Sequence, residues 1–460
     1  MTFYNHQEPQ TDYSGFLKNM AEDVRKGDQF DPSLYDRYNV KRGLRNADGT
    51  GVLVGLTSIG DVRGYIMEEK EKVPVDGRLL YRGIDVERFA NGCAANGRFG
   101  FEECAYLLLT GQLPSDAQLK EFTQYLDDSR RLPDGFAEDM IMKAPSHDIM
   151  NKLARCVLAS YSYDDNPDDL SFDNVLRQCT RLIAQFPTMV AYAYQARCHY
   201  YEGRSLYIHN PEKGLSTSEN FLQMIRPDSK YTRLEAEILD LNLIIHAEHG
   251  GGNNSSFTVH VVTSTGTDTY SAIAAAVGSL KGPKHGGANL RVMGMMKDIK
   301  ENVHNWEDEQ EVRSYLAKIL NKQAYDGSGL VYGMGHAIYT KSDPRANLLK
   351  QKAAELANAY GGDYLKEFEL YQKIEKLTPG VFEEVKHNSK DICANVDLYS
   401  GFVYTMLGIP VELYTPIFAI SRIAGWSAHR LEELAVGNRI IRPAYKNVGK
   451  KQDYFDISGR

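Results

Sequence analysis

The chain has 460 residues, 42% hydrophobic and 25% charged, a globular composition with enough length for one very large core or several domains, which excludes wholesale disorder. Its 53 Lys and Arg against 61 Asp and Glu give a net charge of −8 with no long run of one sign, which disfavours nucleic-acid and anionic-membrane partners. No window reaches the roughly eighteen consecutive apolar residues of a bilayer span, no basic-then-apolar leader opens the chain, and Cys93, Cys104, Cys156, Cys179, Cys198 and Cys393 form no CxxC pair, so a cytoplasmic protein with free thiols is expected.

Strand signals are confined to the early region. Gly51 to Ile66 is rich in Val, Leu and Ile, and Val73 to Tyr81 carries an Asp76-Gly77 dipeptide of hairpin type, so small β ribbons are expected there. Elsewhere apolar residues recur at helical spacing between Pro and Gly punctuation, which predicts an all-α, multi-helix fold. Thr232 with Glu235 is a capping-box pattern; it opens a helix whose Leu234, Ile238, Leu241 and Ile245 share a face and whose far end delivers His246 and His249. Asp343 as N-cap and Pro344 at the first position open another, with Arg345 in the first turn, Leu349, Ala353, Leu356 and Tyr360 along one side, and Gly361-Gly362 as its stop. A further helix is expected over Leu398 to Leu407, preceded by Asp397. The apolar run Tyr414 to Trp426 contains a single charge, Arg422, which is costly to bury without a partner and which a bound anion would satisfy.

Polar residues of catalytic type concentrate in four glycine-rich segments of the second half: HAEHGGGNNSS (246 to 256), GPKHGGAN (282 to 289), VYGMGHAIYTKSDPR (331 to 345) and NVDLYSG (395 to 401). Glycine beside histidine lets backbone approach a ligand closely and leaves the imidazole uncrowded. His246 and His249 are spaced like metal ligands, yet there is no HExxH and no recurring carboxylate, so no metal is assigned. Neither GMGH nor GGAN fits a nucleotide-binding loop.

Together, and in this order, the four segments resemble the citrate synthase family: its GPxHGxAN turn, its GxGHxxxxxxDPR segment and its NVDxxSG segment. GRLLYRGIDVERFA (77 to 90), FEECAYLLLTGQLP (101 to 114), ISRIAGWSAHRLEE (420 to 433) and RIIRPAYKNVG (439 to 449) resemble further family landmarks, so the resemblance runs from about residue 50 to 449. It implies an all-α, two-domain enzyme that condenses acetyl-CoA with oxaloacetate and water to give citrate and CoA, with no cofactor beyond its substrates. It further implies Asp397 as the base, His285 as donor to the enolate oxygen and His336 as donor to the oxaloacetate ketone. His249, Arg345, Arg422 and Arg442 would hold the dicarboxylate, with Arg442 reaching into the neighbouring subunit of a homodimer. Leu330, Val331, Tyr332, Gly333, Met334 and Gly335 would read CoA through their main chain and Lys341 through its charge. Thr340 stands where some members carry Arg or Lys, and GGGN (250 to 253) replaces the acidic residue that commonly follows the His249 position. The expected domains are a large one, 1–286 with 408–460, and a small one, 287–407.

Each residue also has a plainer structural reading. Asp397 would be a helix N-cap, Arg345 a first-turn surface residue, Arg422 a partner of Glu432 or Glu433, His285 a solvated turn residue and His336 a satisfied histidine between glycines. The rival functions are a 2-methylcitrate synthase using propionyl-CoA and a non-catalytic helical binding or regulatory protein of the same fold. The citrate-synthase-like module of ATP-citrate lyase is a third, disfavoured by the lack of room for an ATP-binding half.

Overall fold

The computed structural model describes residues 12–27, 29–46, 49–68, 71–387, 391–437, 439–454 and 456–459. Contacts divide the chain into two units, Met1–Gly55 with Arg442–Arg460, and Leu56–Ile441. In the first, helices span Ser14–Gly27 and Ser33–Arg37, the Arg42 guanidinium lies 4.5 Å over the Tyr35 ring, and Lys446 lies 5.5 Å over Tyr38, joining the two ends of the chain.

The second unit carries the core. It is helical apart from a three-stranded antiparallel sheet, so the expected all-α class with small ribbons holds among the described residues. The helices that matter for the site are α1 (Phe172–Glu202), α2 (Arg233–His246), α3 (Asn254–Thr263), α4 (Thr269–Lys281), α5 (Ala288–Asn302), α6 (Pro344–Tyr360), α7 (Gly362–Lys386), α8 (Val396–Met406) and α9 (Tyr414–Val436). Helices α1 and α9 are buried on nearly every side and pack on each other, as expected of central helices in a large core. Helix α2 packs on α9 and α6, α3 and α4 pack on α9, and α6 and α5 both pack on α8.

The capping box at Thr232 forms as expected: its hydroxyl accepts from Glu235 N at 3.2 Å and the Glu235 carboxylate accepts from Thr232 N at 2.6 Å. Helix α6 also starts as expected, with Asp343 as cap and Pro344 at its first position. The Gly361-Gly362 pair does not lead into a loop. Gly361 (φ +66) ends α6 and α7 begins at once at Gly362 (φ +56), so the two glycines make a corner between helices, and Tyr360 at that corner is exposed rather than on the packed side.

The strand expectations need two corrections. Strand β1 (Gly60–Glu68) begins only at Gly60; Leu53 and Leu56 before it lie exposed, without a neighbouring strand to give them a covered face. The Asp76-Gly77 dipeptide is not a hairpin turn but lies inside β2 (Glu71–Tyr81), which a short β3 (Ile84–Asp85) extends. The register of β1 and β2 jumps from Arg63↔Arg78 to Tyr65↔Pro74, so β2 carries two extra residues in a bulge containing Asp76 and Gly77. The bulge receives a distant segment: Ser342 Oγ accepts from Gly77 N at 3.0 Å and donates to Asp76 Oδ1 at 3.2 Å. A Cβ on Gly77 would meet Ser342 O at 2.1 Å, and one on Gly64 would meet Ile338 O at 2.5 Å, so both glycines serve close backbone approach.

Replacing Gly77 by alanine should therefore push the 338–342 segment off the sheet. A loss of about 1 to 3 kcal/mol in urea unfolding is expected, and a midpoint equal to the parent's would show that the strand and segment are not in contact.

Candidate active site

Helix α2 ends in a buried histidine. His246 Nδ1 donates to the Asn242 carbonyl at 2.9 Å, which leaves Nε2 as the lone-pair nitrogen, and burial pushes the ring down to about 3, so it is neutral. Three residues on, His249 is half-buried, with its Nε2 atom buried and without a hydrogen-bond partner, edge-on to His336 (ring centroids 5.3 Å apart) and to Tyr339 (5.8 Å). Burial, with the Arg345 charge nearby, holds it well below the usual range. The turn between the two histidines is fixed by Tyr81, whose hydroxyl lies 2.9 Å from the Ile244 carbonyl and 3.2 Å from that of Glu248.

Arg422 enters from α9 with its side chain fully buried. Its Nε donates to the His246 carbonyl at 2.6 Å and its guanidinium lies 4.7 Å over the Phe418 ring, while Nη1 has no partner. It pairs with neither Glu432 nor Glu433; those carboxylates are held by Ser58 and His260. Burial lowers its pKa to about 10, which still leaves it cationic at neutral pH. Phe418 is the common neighbour here, since His246 and His285 also stand edge-on to it at 4.9 and 6.3 Å.

Arg345 is buried rather than on the surface. Asp343 accepts from its backbone N and its Nε, both at 3.0 Å, and from Nη2 at 2.8 Å, and it also accepts from Val396 N at 3.3 Å at the start of α8. That ion pair keeps Arg345 firmly protonated.

His336 sits in a turn whose backbone fixes its tautomer. Ile338 N and Tyr339 N donate to its Nδ1 at 3.1 and 3.2 Å, so the neutral ring carries its proton on Nε2. The glycines before it are clamped to the segment leading to Asp397. Asn395 N donates to Gly333 O at 2.9 Å, Asn395 Nδ2 donates to Gly335 O at 2.8 Å, and Gly335 N donates to Cys393 O at 2.7 Å. A Cβ on Gly333 would meet Leu398 Cα at 2.9 Å. Asn395, not Asp397, is the N-cap of α8, because its Oδ1 accepts from Asp397 N at 3.0 Å. Asp397 is thereby released from capping. Burial lifts its carboxyl to about 6 despite the opposing pull of Arg345.

His285, in the turn before α5, places Nε2 3.1 Å from Ser255 Oγ, and burial pushes it down to about 4. Ser255 Oγ accepts from Trp426 Nε1 at 3.0 Å, so its single proton is available to Asn253 Oδ1, also at 3.0 Å, or to His285 Nε2.

The structure thus links His249, His336, Arg345 and Arg422 by direct ring and charge neighbours, joins His285 to them through Phe418 and Arg422, and sets Asp397 within the field of Arg345. Two guanidiniums beside neutral imidazoles suit a small dianion. Arg442 is exposed and belongs to the other unit. Leu330 and Lys341 are exposed; Lys341 and Thr340 line a cleft of about 430 Å³ with Pro379, Gly380, Glu383, Asp391 and Ile392. Val331 is buried, Tyr332 half-buried, and Met334 N donates to Val331 O at 3.2 Å. The sequence alone assigns no site role to His246, Ser255, Asn395 or Phe418. Of these only Asn395 carries a local signal that could have found it, an Asx residue just before the apolar start of a helix.

A family model described as citrate synthase, C-terminal domain, matches residues 47–444. The chain belongs to the citrate synthase family. Citrate synthase of Haloferax volcanii is 34% identical over 427 residues, covering 92% of this chain and 99% of that protein. 2-Methylcitrate synthase of Shewanella oneidensis is 32% identical over 372 residues, covering 81% and 88%. The solved ternary complex of carboxymethyl coenzyme A and oxaloacetate with citrate synthase from Thermoplasma acidophilum superposes with a TM-score of 0.73 at 25% identity, covering 92% of this chain and 99% of that one. As a member of that family, the protein is an acyl-condensing transferase.

The Asp397 carboxyl has a measurable cost. Raising it from 3.8 to about 6 disfavours the ionised folded state by about 2 to 3 kcal/mol. Because the folded protein holds this proton more tightly than the unfolded chain, the cost is absent below pH 3.8, develops toward pH 6 and is complete above it. Asp397→Asn should then raise unfolding free energy by about 2 kcal/mol at pH 8 and by less at pH 5. Denaturant titrations at the two pH values check this, and an equal gain at both would remove the ionisation argument.

Proposed function

We propose that this citrate synthase acts through Asp397, His285 and His336 on acetyl-CoA and oxaloacetate. The observation that carries the reading is one raised carboxylate set among neutral imidazoles and two buried guanidiniums. Asp397 takes a proton from the methyl group beside the thioester carbonyl, a step a carboxylate manages only if the enolate oxygen is stabilised as its charge develops. His285 supplies that stabilisation: with Ser255 Oγ donating to its Nε2 in place of Asn253 Oδ1, the neutral ring carries its one proton on Nδ1 and donates it there. His336, whose proton lies on Nε2, donates to the oxaloacetate ketone and makes it electrophilic. The enol carbon then bonds to the ketone carbon, and water cleaves the thioester to release citrate and CoA. No step calls for a cofactor.

The oxaloacetate carboxylates are assigned to Arg345, Arg422 and His249. The unpartnered Arg422 Nη1 and His249 Nε2 support this, since an anion would complete both. Arg442 is assigned to the same dicarboxylate in the neighbouring subunit of a homodimer. CoA is assigned to the main chain of Leu330–Gly335, with Lys341 on a phosphate; the cleft beside Lys341 supports that placement. Closure of a small domain, 287–407, over a large one, 1–286 with 408–460, would keep water from the thioester until condensation. A cytoplasmic location agrees with the lack, among the described residues, of a helix long and apolar enough to cross a membrane.

Thiol release, followed colorimetrically, tests the reaction. Oxaloacetate-dependent release with acetyl-CoA ahead of propionyl-CoA is expected. The extra methylene is worth about 1 to 3 kcal/mol, so a preference of 10- to 200-fold is the scale to look for. The reverse preference would assign a 2-methylcitrate synthase, and no release by folded protein would leave only the fold. Asp397→Asn should lower kcat by about 10²- to 10⁴-fold. Arg422→Lys, which loses the planar fork, should raise KM for oxaloacetate by about 10-fold or more with a smaller effect on the acetyl-CoA KM; an unchanged oxaloacetate KM would take Arg422 out of the site.

A further inference from the structure

A second cluster, distinct from the residues assigned to substrate, joins α3, α9 and the segment before β1. His260 on α3 and His429 on α9 face each other, Nε2 to Nδ1, at 3.0 Å. The other nitrogen of each ring is already on a carboxylate: His260 Nδ1 is 2.8 Å from Glu433 Oε2, and His429 Nε2 is 3.0 Å from Glu248 Oε1. An ionised carboxylate only accepts, so each neutral ring spends its one proton outward. The two facing nitrogens are then both lone pairs, and at hydrogen-bond distance they repel each other unless a cation is present.

Glu432 shows which cation fits. Its Oε1 accepts from Ser58 N at 2.8 Å and from Ser58 Oγ at 2.9 Å, which orients the carboxylate. Its Oε2 lies 3.9 Å from His429 Nδ1 and is buried with no hydrogen-bond partner, on a side chain only 10% exposed. A proton shared between the rings would satisfy the nitrogens and leave Glu432 Oε2 orphaned. A divalent metal ion satisfies all three. The three atoms lie within 4.8 Å of one another, and the ligands of a tetrahedral zinc, about 2.0 to 2.1 Å from the ion, stand roughly 3.3 Å apart, so modest side-chain shifts close the set. A carboxylate on the far nitrogen of each imidazole is the arrangement that fixes the tautomer of metal-bound histidine and raises its basicity. Gly251 flanks the pair: a Cβ there would stand 3.4 Å from His429 Cε1 and 3.5 Å from His260 Nε2, so its absence leaves room for a fourth, water ligand.

We propose that His260 Nε2, His429 Nδ1 and Glu432 Oε2 bind one borderline divalent cation of the zinc class, with Glu248 and Glu433 as the outer carboxylates. Two imidazoles and one carboxylate favour Zn²⁺ or Co²⁺ over Mg²⁺ and Ca²⁺. The ion staples the last turns of α9 to α3 and to Ser58. Glu248 immediately precedes His249, so the same staple holds the turn on which the dicarboxylate site is built.

The test uses the full-length, tag-free protein, stripped with a chelator and titrated with Co²⁺. One equivalent per chain should give a visible ligand-field band that Zn²⁺ abolishes and Mg²⁺ does not. Glu432→Gln and His260→Gln should each remove the band, with folding checked by circular dichroism. Glu433→Gln keeps all three ligands and should weaken binding by about 10- to 100-fold, which serves if the ligand variants do not fold. Failure of the parent protein to bind one Co²⁺, a band unchanged in folded Glu432→Gln, or a Co²⁺ affinity unchanged in folded Glu433→Gln, would overturn the assignment.

Discussion

The carboxylate of Asp343 accepts four hydrogen bonds: three from Arg345, through its backbone N, Nε and Nη2, and one from Val396 N. It is fully buried, and an isolated charge there would cost several kcal/mol. With the guanidinium beside it and both oxygens satisfied, the cost is offset, and the ends of α6 and α8 are held together. Through that joint Arg345 is aimed into the site from α6 while Asp397 is set in the first turn of α8. Remove either partner and the other is left as an uncompensated buried charge, so the proposed dicarboxylate pocket and the proposed base both rest on one ion pair.

Around that joint, the chemistry rests on keeping imidazoles neutral and on choosing which nitrogen carries the proton. His246 gives its proton to Asn242, and His336 receives two backbone N–H groups on Nδ1. Burial keeps His246 neutral, and local backbone supplies the tautomer of both rings. Asn395 performs a parallel service for Asp397. By capping α8 itself and gripping the carbonyls of Gly333 and Gly335, it frees the aspartate and ties the His336 turn to the same helix start.

Much of this was legible in the amino-acid sequence where the cause is local. Thr232 with Glu235 and Asp343 with Pro344 announce helix starts because capping needs only a few neighbouring residues. Arg422 betrayed an unmet need because a lone charge stands in an apolar run. The family segments named His285, His336 and Asp397 together. What stayed hidden depends on partners far along the chain. Asp76-Gly77 has hairpin chemistry, but its use is set by Ser342, and the role of His246 is set by Phe418. His260 and His429 are separated by 169 positions and carry no shared spacing signal. The last turns of α9 read as an ordinary polar helix face until α3 is laid against them.

The docking of Ser342 into the β2 bulge joins residues 265 and 266 positions apart. Contacts of that span are reached only after a long loop has been closed, and the entropy of closing it is not repaid by anything formed earlier along the segment. The helices can therefore acquire their caps and much of their packing, and Asn395 can grip the His336 turn, while the 338–342 segment that follows it is still undocked from the sheet. In a refolding chain, secondary structure should precede catalytic competence, and the small sheet, minor as it is by mass, should set the time at which the enzyme becomes one.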